Sequence, residues 1–372
     1  MLMKFGGFHF GRRNFLLTSL GAYFFMHQSL GRAETPTDIT ILNSVAIPVK
    51  NPSEIILIAV TKAGDRLVAV GEHGAIIFSD SQGVTWTQAS VPVDVTLTCV
   101  SFATPMVGWA AGHFGVILKT IDGGKTWFIQ LNGIQVNQLT LAAAQDPSVQ
   151  TSNSPAAPLA MKRAEFFMQA GPSKPFLSIL ALSPQRVLVF GAYRMTMITT
   201  DGGKTWSDWS LHIGDKFSHN LYAATVSGSE IYIVGEAGLI FRSTDNGNNF
   251  PQETSPSGVT LFGVVAAHDG SITVFGVAGV CFRTTDGGNS WVPLNLGTQD
   301  NLTAGCILPS GVILIASASG LVFASHNNGL TFSPVSGMPP MTISDVTYAP
   351  DGTLIFVGYS GVSRAPVSLI NH

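Results

Sequence analysis

The sequence predicts an all-β fold, a seven-bladed β-propeller, and three observations carry that prediction. First, six segments share one pattern: a hydroxyl residue, Asp, Ser or Asn two places on, glycine two places further, and an aromatic three places later. The clearest is Thr120-Ile121-Asp122-Gly123-Gly124-Lys125-Thr126-Trp127. Second, the closing aromatics Trp86, Trp127, Trp206, Phe250, Trp291 and Phe332 are spaced by 41, 79, 44, 41 and 41 residues. Third, fifteen residues before each aromatic a small residue opens a turn, as in Gly71-Glu72-His73-Gly74 and Gly276-Val277-Ala278-Gly279. A seventh turn, Gly358-Tyr359-Ser360-Gly361, has no aromatic after it, so the last unit lacks its outer strand.

Residues 1–33 precede the repeat. Gly11-Arg12-Arg13-Asn14-Phe15-Leu16-Leu17 resembles the twin-arginine export motif, an apolar stretch runs to about Met26, and Gly31-Arg32-Ala33 offers small residues for cleavage. That apolar stretch is short of the roughly 20 residues a membrane-spanning helix needs. The segment holds four basic residues and no acids, so the mature chain carries 19 − 4 = 15 basic and 22 acidic side chains, a net charge of −7. An acidic surface excludes nucleic acid as a partner, because phosphates need a basic face. The mature chain, 34–372, is expected to be one propeller and a monomer. Ile39–Val49 stands one period before the first outer strand, so it is expected to supply the missing strand of unit seven and close the ring.

Each unit reads as four short antiparallel strands. In the second these are Val95–Phe102, Gly108–Ala111, Val116–Thr120 and Trp127–Leu131. Asp122, Asp201, Asp245 and Asp286 suit a tight hairpin, where a short carboxylate accepts backbone N–H bonds and the following glycine takes positive φ. They are expected on the outer rim as structural residues. Ser81 and Asn327 hold the same place in units one and six.

The gap of 79 residues is one period plus 38, an insertion at 133–174 between units two and three. Ile134–Gln145 and Pro158–Gln169 read as helices, the second with Leu159, Ala160, Ala164, Phe167 and Met168 on one face, joined by a loop over Asp146–Ala157. The insertion is expected over the face that carries the turns between second and third strands. That face offers Glu72, His73, His113, Tyr193, Arg194, Glu236 and Tyr359 as candidate binding residues. Arg194 is the one basic residue there other than histidine. His73 and His113 occupy adjacent turns without metal-ligand spacing, and neither a metal nor a cofactor is expected. Cys99, Cys281 and Cys306 lie in or beside apolar runs and read as buried apolar residues.

The twin arginines, the T-x-D-G-G-K-T-W boxes and the turn ladder together resemble the photosystem II stability/assembly factor family over about residues 36–372. The resemblance implies a seven-bladed propeller without enzymatic activity. It also implies an exported protein, in a bacterial periplasm or, in a photosynthetic organism, the thylakoid lumen. Its partner would be a membrane protein or membrane complex on the exported side. Sialidases share the box, so a glycoside hydrolase of sialidase type is the alternative. Their Phe-Arg-Ile-Pro signature is absent, their propellers have six blades, and Arg242 and Arg283 repeat at a position near the rim.

Overall fold

The computed structural model describes residues 39–150 and 157–370. The predicted export segment lies outside them. Seven antiparallel sheets follow one another along the chain, each running first strand to last in sequence order. Blade 1 is β1 (Leu57–Ala63), β2 (Arg66–Gly71), β3 (Ile76–Ser79) and β4 (Thr87–Gln88). Blade 2 is β5 (Leu97–Phe102), β6 (Gly108–Gly112), β7 (Ile117–Thr120) and β8 (Phe128–Leu131). Blade 3 is β9 (Phe176–Ala181), β10 (Val187–Gly191), β11 (Thr196–Thr199) and β12 (Ser207–Asp208). Blade 4 has β13 (Leu221–Ser227), β14 (Glu230–Gly235) and β15 (Ile240–Ser243), with Gln252 bridged to Phe241 in place of a full fourth strand. Blade 5 is β16 (Leu261–Ala266), β17 (Ile272–Gly276), β18 (Cys281–Thr284) and β19 (Val292–Pro293). Blade 6 is β20 (Leu302–Ile307), β21 (Ile313–Ser317), β22 (Val322–Ser325) and β23 (Ser333–Pro334). Blade 7 has three strands, β24 (Asp345–Tyr348), β25 (Leu354–Gly358) and β26 (Gly361–Ala365).

Second strands such as Val187–Gly191 and Ile313–Ser317 are buried along their whole length. Each blade is covered on both faces by its neighbours, so these strands are apolar runs and do not alternate. The core is accordingly divided between blades: Val68 and Val70 pack with Ala110, Leu118 and Trp127 of blade 2. Most first strands carry a bulge at their second residue, as at Leu57/Ala59, Leu97/Cys99 and Leu302/Ala304. The bulged residue reaches the next blade: Thr98 Oγ1 donates to Phe176 O at 2.6 Å and Thr303 Oγ1 to Ile343 O at 3.1 Å. The cysteines are free, and burial pushes the thiols of Cys99 and Cys281 up to about 12.

The aspartate turns are rigid. Asp122 Oδ1 accepts from Lys125 N and Thr126 N at 3.0 Å each and from Thr120 Oγ1 at 2.8 Å. Thr120 Oγ1 in turn accepts from Gly124 N at 3.0 Å, and Trp127 Nε1 donates to Gly124 O at 3.0 Å. Gly123 and Gly124 take φ of 73° and 89°, which a side chain would resist. Hydrogen bonds from the Ser290 hydroxyl and N–H hold the Asp286 carboxyl down at about 2.

Ring closure departs from the expectation. Ile39–Asn43 is a 3₁₀ turn and 44–49 is irregular; neither pairs with blade 7. The chain is held instead over the cleft between blades 1 and 2. Ala46 N donates to Val91 O at 3.0 Å, Val49 N to Gln88 Oε1 at 2.9 Å, and Leu42 and Ala46 are buried with Val91, Val93 and Val95. The physical reason is the missing ring. Val45, one period before Trp86, is 71% exposed and has no aromatic to fill a slot between blades, whereas Leu42 and Ala46 find one elsewhere. The repeat is kept only later, where Ser53 O lies against Gly361 as Met341 O lies against Gly320. The ring is closed by packing of Leu57, Leu67 and Ala69 on Ile355 and Val357, and by Val60 N donating to Asp345 Oδ2 at 2.9 Å.

Candidate functional site

The turns between second and third strands share one geometry. His73, Phe114, Tyr193, Ala237 and Ala278 occupy the same position with φ of 54–55°. For residues with a Cβ this left-handed conformation costs about 1 kcal/mol each. Glu72, His73, His113 and Ala237 are exposed on the turn face, whereas Phe114 is half-buried against the core between blades 1 and 2. His73 Nδ1 lies 3.0 Å from Asp94 Oδ1, and Asn220 N donates to Glu236 Oε2 at 3.1 Å. Tyr359 is 65% exposed at the tip of the blade 7 hairpin. Among the described residues no three His, Cys, Asp or Glu converge to hold a metal ion.

The insertion forms α1 (Gly133–Gln145), α2 (Pro147–Gln150) and α3 (Ala160–Ala170) between blades 2 and 3. Asn132 and Gln135 make a reciprocal cap at the start of α1: Asn132 Oδ1 accepts from Ile134 N and Gln135 N, while Gln135 Oε1 accepts from Asn132 N at 3.0 Å. Asn137 Nδ2 then ties α1 to the end of α3, donating to Phe167 O at 2.9 Å and Gly171 O at 3.1 Å. Ala160, Arg163, Ala164 and Phe167 face inward. The apolar face of α3 is therefore narrower than its sequence suggests, because Leu159 and Met168 point outward, Met168 being 47% exposed.

A buried ionic knot fixes the insertion to blade 3. Asp208 Oδ2 accepts from Thr140 Oγ1 at 2.7 Å and from Arg163 Nη2 at 3.2 Å, and its Oδ1 accepts from Ser210 N at 2.9 Å. Arg194 belongs to this knot and not to the binding face. It is fully buried, with Nη1 donating to Asp215 O and its N–H to His219 O at 2.7 Å. Burial, reinforced by Arg163, lowers its guanidinium to about 10 against the opposing pull of Asp215 and Asp208. The left-handed backbone at both Tyr193 and Arg194 turns one side chain out and the next one in. Lys174 is also buried, donating to Gly171 O at 2.7 Å, and burial lowers its ammonium to about 8. Sequence reasoning missed Thr140, Arg163 and Asp208, since nothing in their local spacing shows that they meet.

What remains outside is an apolar surface. Phe166 (43% exposed) packs edge-on against Tyr193 (38% exposed) with ring centroids 5.3 Å apart. Met161 and Met168 are exposed on the same helix, and Phe217, 76% exposed, lies on the loop whose His219 bonds Arg194. Five other cations bridge the seams between blades, each donating to a carbonyl in the next blade's box turn. Arg66 Nη1 reaches Gly123 O at 2.9 Å, Lys119 Nζ Gly202 O at 2.6 Å and Arg186 Nε Asn246 O at 3.1 Å. Arg283 Nε reaches Asn328 O at 2.7 Å and Arg364 Nε Gln82 O at 3.1 Å. Arg242 instead pairs with Glu230. A carboxylate grip of three arginines therefore does not assemble among the described residues.

The sequence model of the family described as photosynthesis system II assembly factor YCF48 matches residues 172–361. A photosystem II assembly lipoprotein Ycf48 from a Synechococcus strain is 35% identical over 74 residues, 20% of this chain and 22% of that protein. A chloroplastic photosystem II stability/assembly factor HCF136 from Guillardia theta is 38% identical over 52 residues, 13% of each chain. The chain thus aligns with less than a quarter of the length of these curated relatives. Among solved structures, YCF48 bound to a D1 peptide is similar with a TM-score of 0.62 at 16% identity, covering 86% of this chain and 98% of that one. YCF48 from Cyanidioschyzon merolae gives 0.60 at 12% identity, covering 86% and 97%. At such identity these likenesses show the propeller fold.

Proposed function

The chain belongs to the photosynthesis system II assembly factor YCF48 family, and from that premise we propose that it is a non-enzymatic scaffold that holds a membrane protein during assembly. The single observation that carries the reading is the apolar surface that Phe166 and Met168, on a helical insertion held to blade 3 by a buried ionic knot, form beside the exposed Tyr193 and Phe217 of blade 3 and its following loop. Exposed aromatic and Met side chains on a rigid support are the composition of a binding surface. The partner we propose is a membrane protein with a segment on the exported side, as the D1 peptide is for the relative solved with it. The turn face with Glu72, His73, His113, Glu236 and Tyr359 would border the contact. Export through residues 1–33, to a periplasm or a thylakoid lumen, and action as a monomer belong to the same proposal.

The test is capture by the immobilised mature chain, 34–372, from detergent-solubilised membranes of its own organism. One integral membrane protein should be retained, and Phe166→Ser with Tyr193→Ser should reduce its recovery at least tenfold while leaving the thermal transition in place. Unchanged recovery would remove the insertion from the contact. Hydrolysis of a sialoside by the purified chain would overturn the scaffold reading itself.

A further inference from the structure

Among the described residues, six blades cover the outer edge of their third strand with their own chain, and the seventh does not. In five blades the carbonyl at one register position accepts a backbone N–H from the fourth segment. Ala89 N donates to Ile76 O, Trp209 N to Thr196 O, Leu294 N to Cys281 O and Val335 N to Val322 O, all at 2.8 Å, and Glu253 N to Ile240 O at 2.9 Å. In blade 2, β8 pairs along β7. Pairing with the second strand identifies the equivalent position in blade 7. Val362 opposes Val357 as Val322 opposes Ala316 and Cys281 opposes Phe275. By the alternation of an antiparallel ladder, Val362 and Arg364 turn their N–H and C=O groups away from β25. Among the described residues none of these four groups has a hydrogen-bond partner.

We propose that the outer edge of β26 binds an extended segment of a partner polypeptide, as a fourth strand carrying a carboxylate opposite Arg364. An unpaired edge is a template for strand addition, in which main-chain bonds hold the added segment. The described residues of this chain do not fill the place. Residues 44–49 are bonded to Val91, His73 and Gln88, and beyond β26 the chain turns through Val367–Ile370, with Ile370 buried in the core. A second copy does not suit it either. Pairing two five-residue strands buries a few hundred Å², well below the roughly 1,200 Å² of a stable dimer. Two mature chains of net charge −7 repel, and both Arg364 side chains would share one sheet face. Arg364 is exposed, and its Nε alone is bonded, to Gln82 O. Its Nη atoms make no hydrogen bond among the described residues and, beside the charge of Asp351, can meet a further acidic residue across the strand. The rim edge is a surface separate from that of Phe166 and Tyr193, so this inference stands whether or not the insertion binds a membrane protein.

The test uses the mature chain, 34–372, and a fluorescein-labelled heptapeptide of alternating Thr and Val with Glu at its centre, or Lys in its place. The Glu peptide should bind at least tenfold more tightly than the Lys peptide, and Arg364→Glu should reverse that order. Val362→Pro removes an outward N–H and should weaken binding at least tenfold, whereas Phe166→Ser with Tyr193→Ser should leave it unchanged. Amide exchange at Val362 and Arg364 should be fast in the free protein and at least tenfold slower with the Glu peptide. Three results would each overturn the proposal. One is no peptide binding, and another is binding indifferent to Val362→Pro and Arg364→Glu. The third is slow exchange of both amides in the free protein. If independent of concentration, that slow exchange would assign the edge to the chain itself; if it grew with concentration, to a second copy.

Discussion

Replacing Asp208 by alanine probes the knot that holds the insertion in place. Its carboxylate accepts from Thr140, Arg163 and both donors of Ser210, and the Asp208 and Arg163 side chains are only 1% and 5% exposed. Removing it leaves Arg163 buried without its counter-charge, and Arg163 Nε and Nη1 already lack partners. Breaking a buried ion pair from one side costs about 3–5 kcal/mol. Arg163→Met should cost less, about 1–2 kcal/mol, since it removes a buried and incompletely bonded charge while Asp208 keeps Thr140 and Ser210. Asp208→Leu with Arg163→Met should recover part of the Asp208→Ala loss. The assay is urea unfolding followed by tryptophan fluorescence, with limited proteolysis across 146–160 as a local readout. A loss below about 1 kcal/mol for Asp208→Ala, with unchanged proteolysis, would refute the argument that this pair anchors the insertion.

Three further outcomes follow from the fold. Asp122→Ala should lower stability by about 1–2 kcal/mol, after discounting for partial exposure, while Asp122→Asn should cost under half of that in the same urea titration. The reason is Asn327, whose Oδ1 already accepts from Thr331 N at 3.0 Å in the equivalent turn. Burial raises the Asp345 carboxyl from 3.8 to about 7, against the hydrogen bonds from Val60 N and Val346 N. The folded state therefore holds its proton more tightly, and that stability is present below pH 4 and lost as pH rises through 7. Compared with Asp345→Asn, the parent should lose about 1–2 kcal/mol between pH 5 and 8, and parallel pH profiles would exclude a role for the carboxyl. Ala278→Gly relieves a left-handed backbone at φ 54° and should raise stability by about 0.5–1 kcal/mol, read as a higher thermal midpoint.

Much of this molecule was legible in its sequence because its information is local and repeated. Thr120, Asp122, Gly124 and Trp127 close one hairpin among themselves, so their spacing announces the turn, and the period of the aromatics counts the blades. The insertion helices were legible for the same reason. Three things were not. Val45 keeps the period but not the ring, and the period alone placed 39–49 in blade 7. Arg194 occupies a turn-face position in the sequence, yet two consecutive left-handed residues rotate it into the interior. The seam contacts of Arg66, Lys119, Arg186 and Arg283 join residues 45–83 positions apart.

Sequence alone thus determined the blade count, the aspartate turns and the site of the insertion, each set by hydrogen bonds and periodicities within a few residues. The tertiary structure decided what depends on the meeting of distant surfaces. The apolar strap 39–49 is drawn to the cleft of blades 1 and 2, where Leu42 and Ala46 lose contact with water. Arg163 turns inward to the Asp208 carboxylate and Arg194 to the Asp215 backbone carbonyl, because charged groups leaving water require hydrogen-bonding partners within reach. Phe166 and Tyr193 are left outside as the exposed aromatic pair, and among the described residues the edge of β26 is left without a strand.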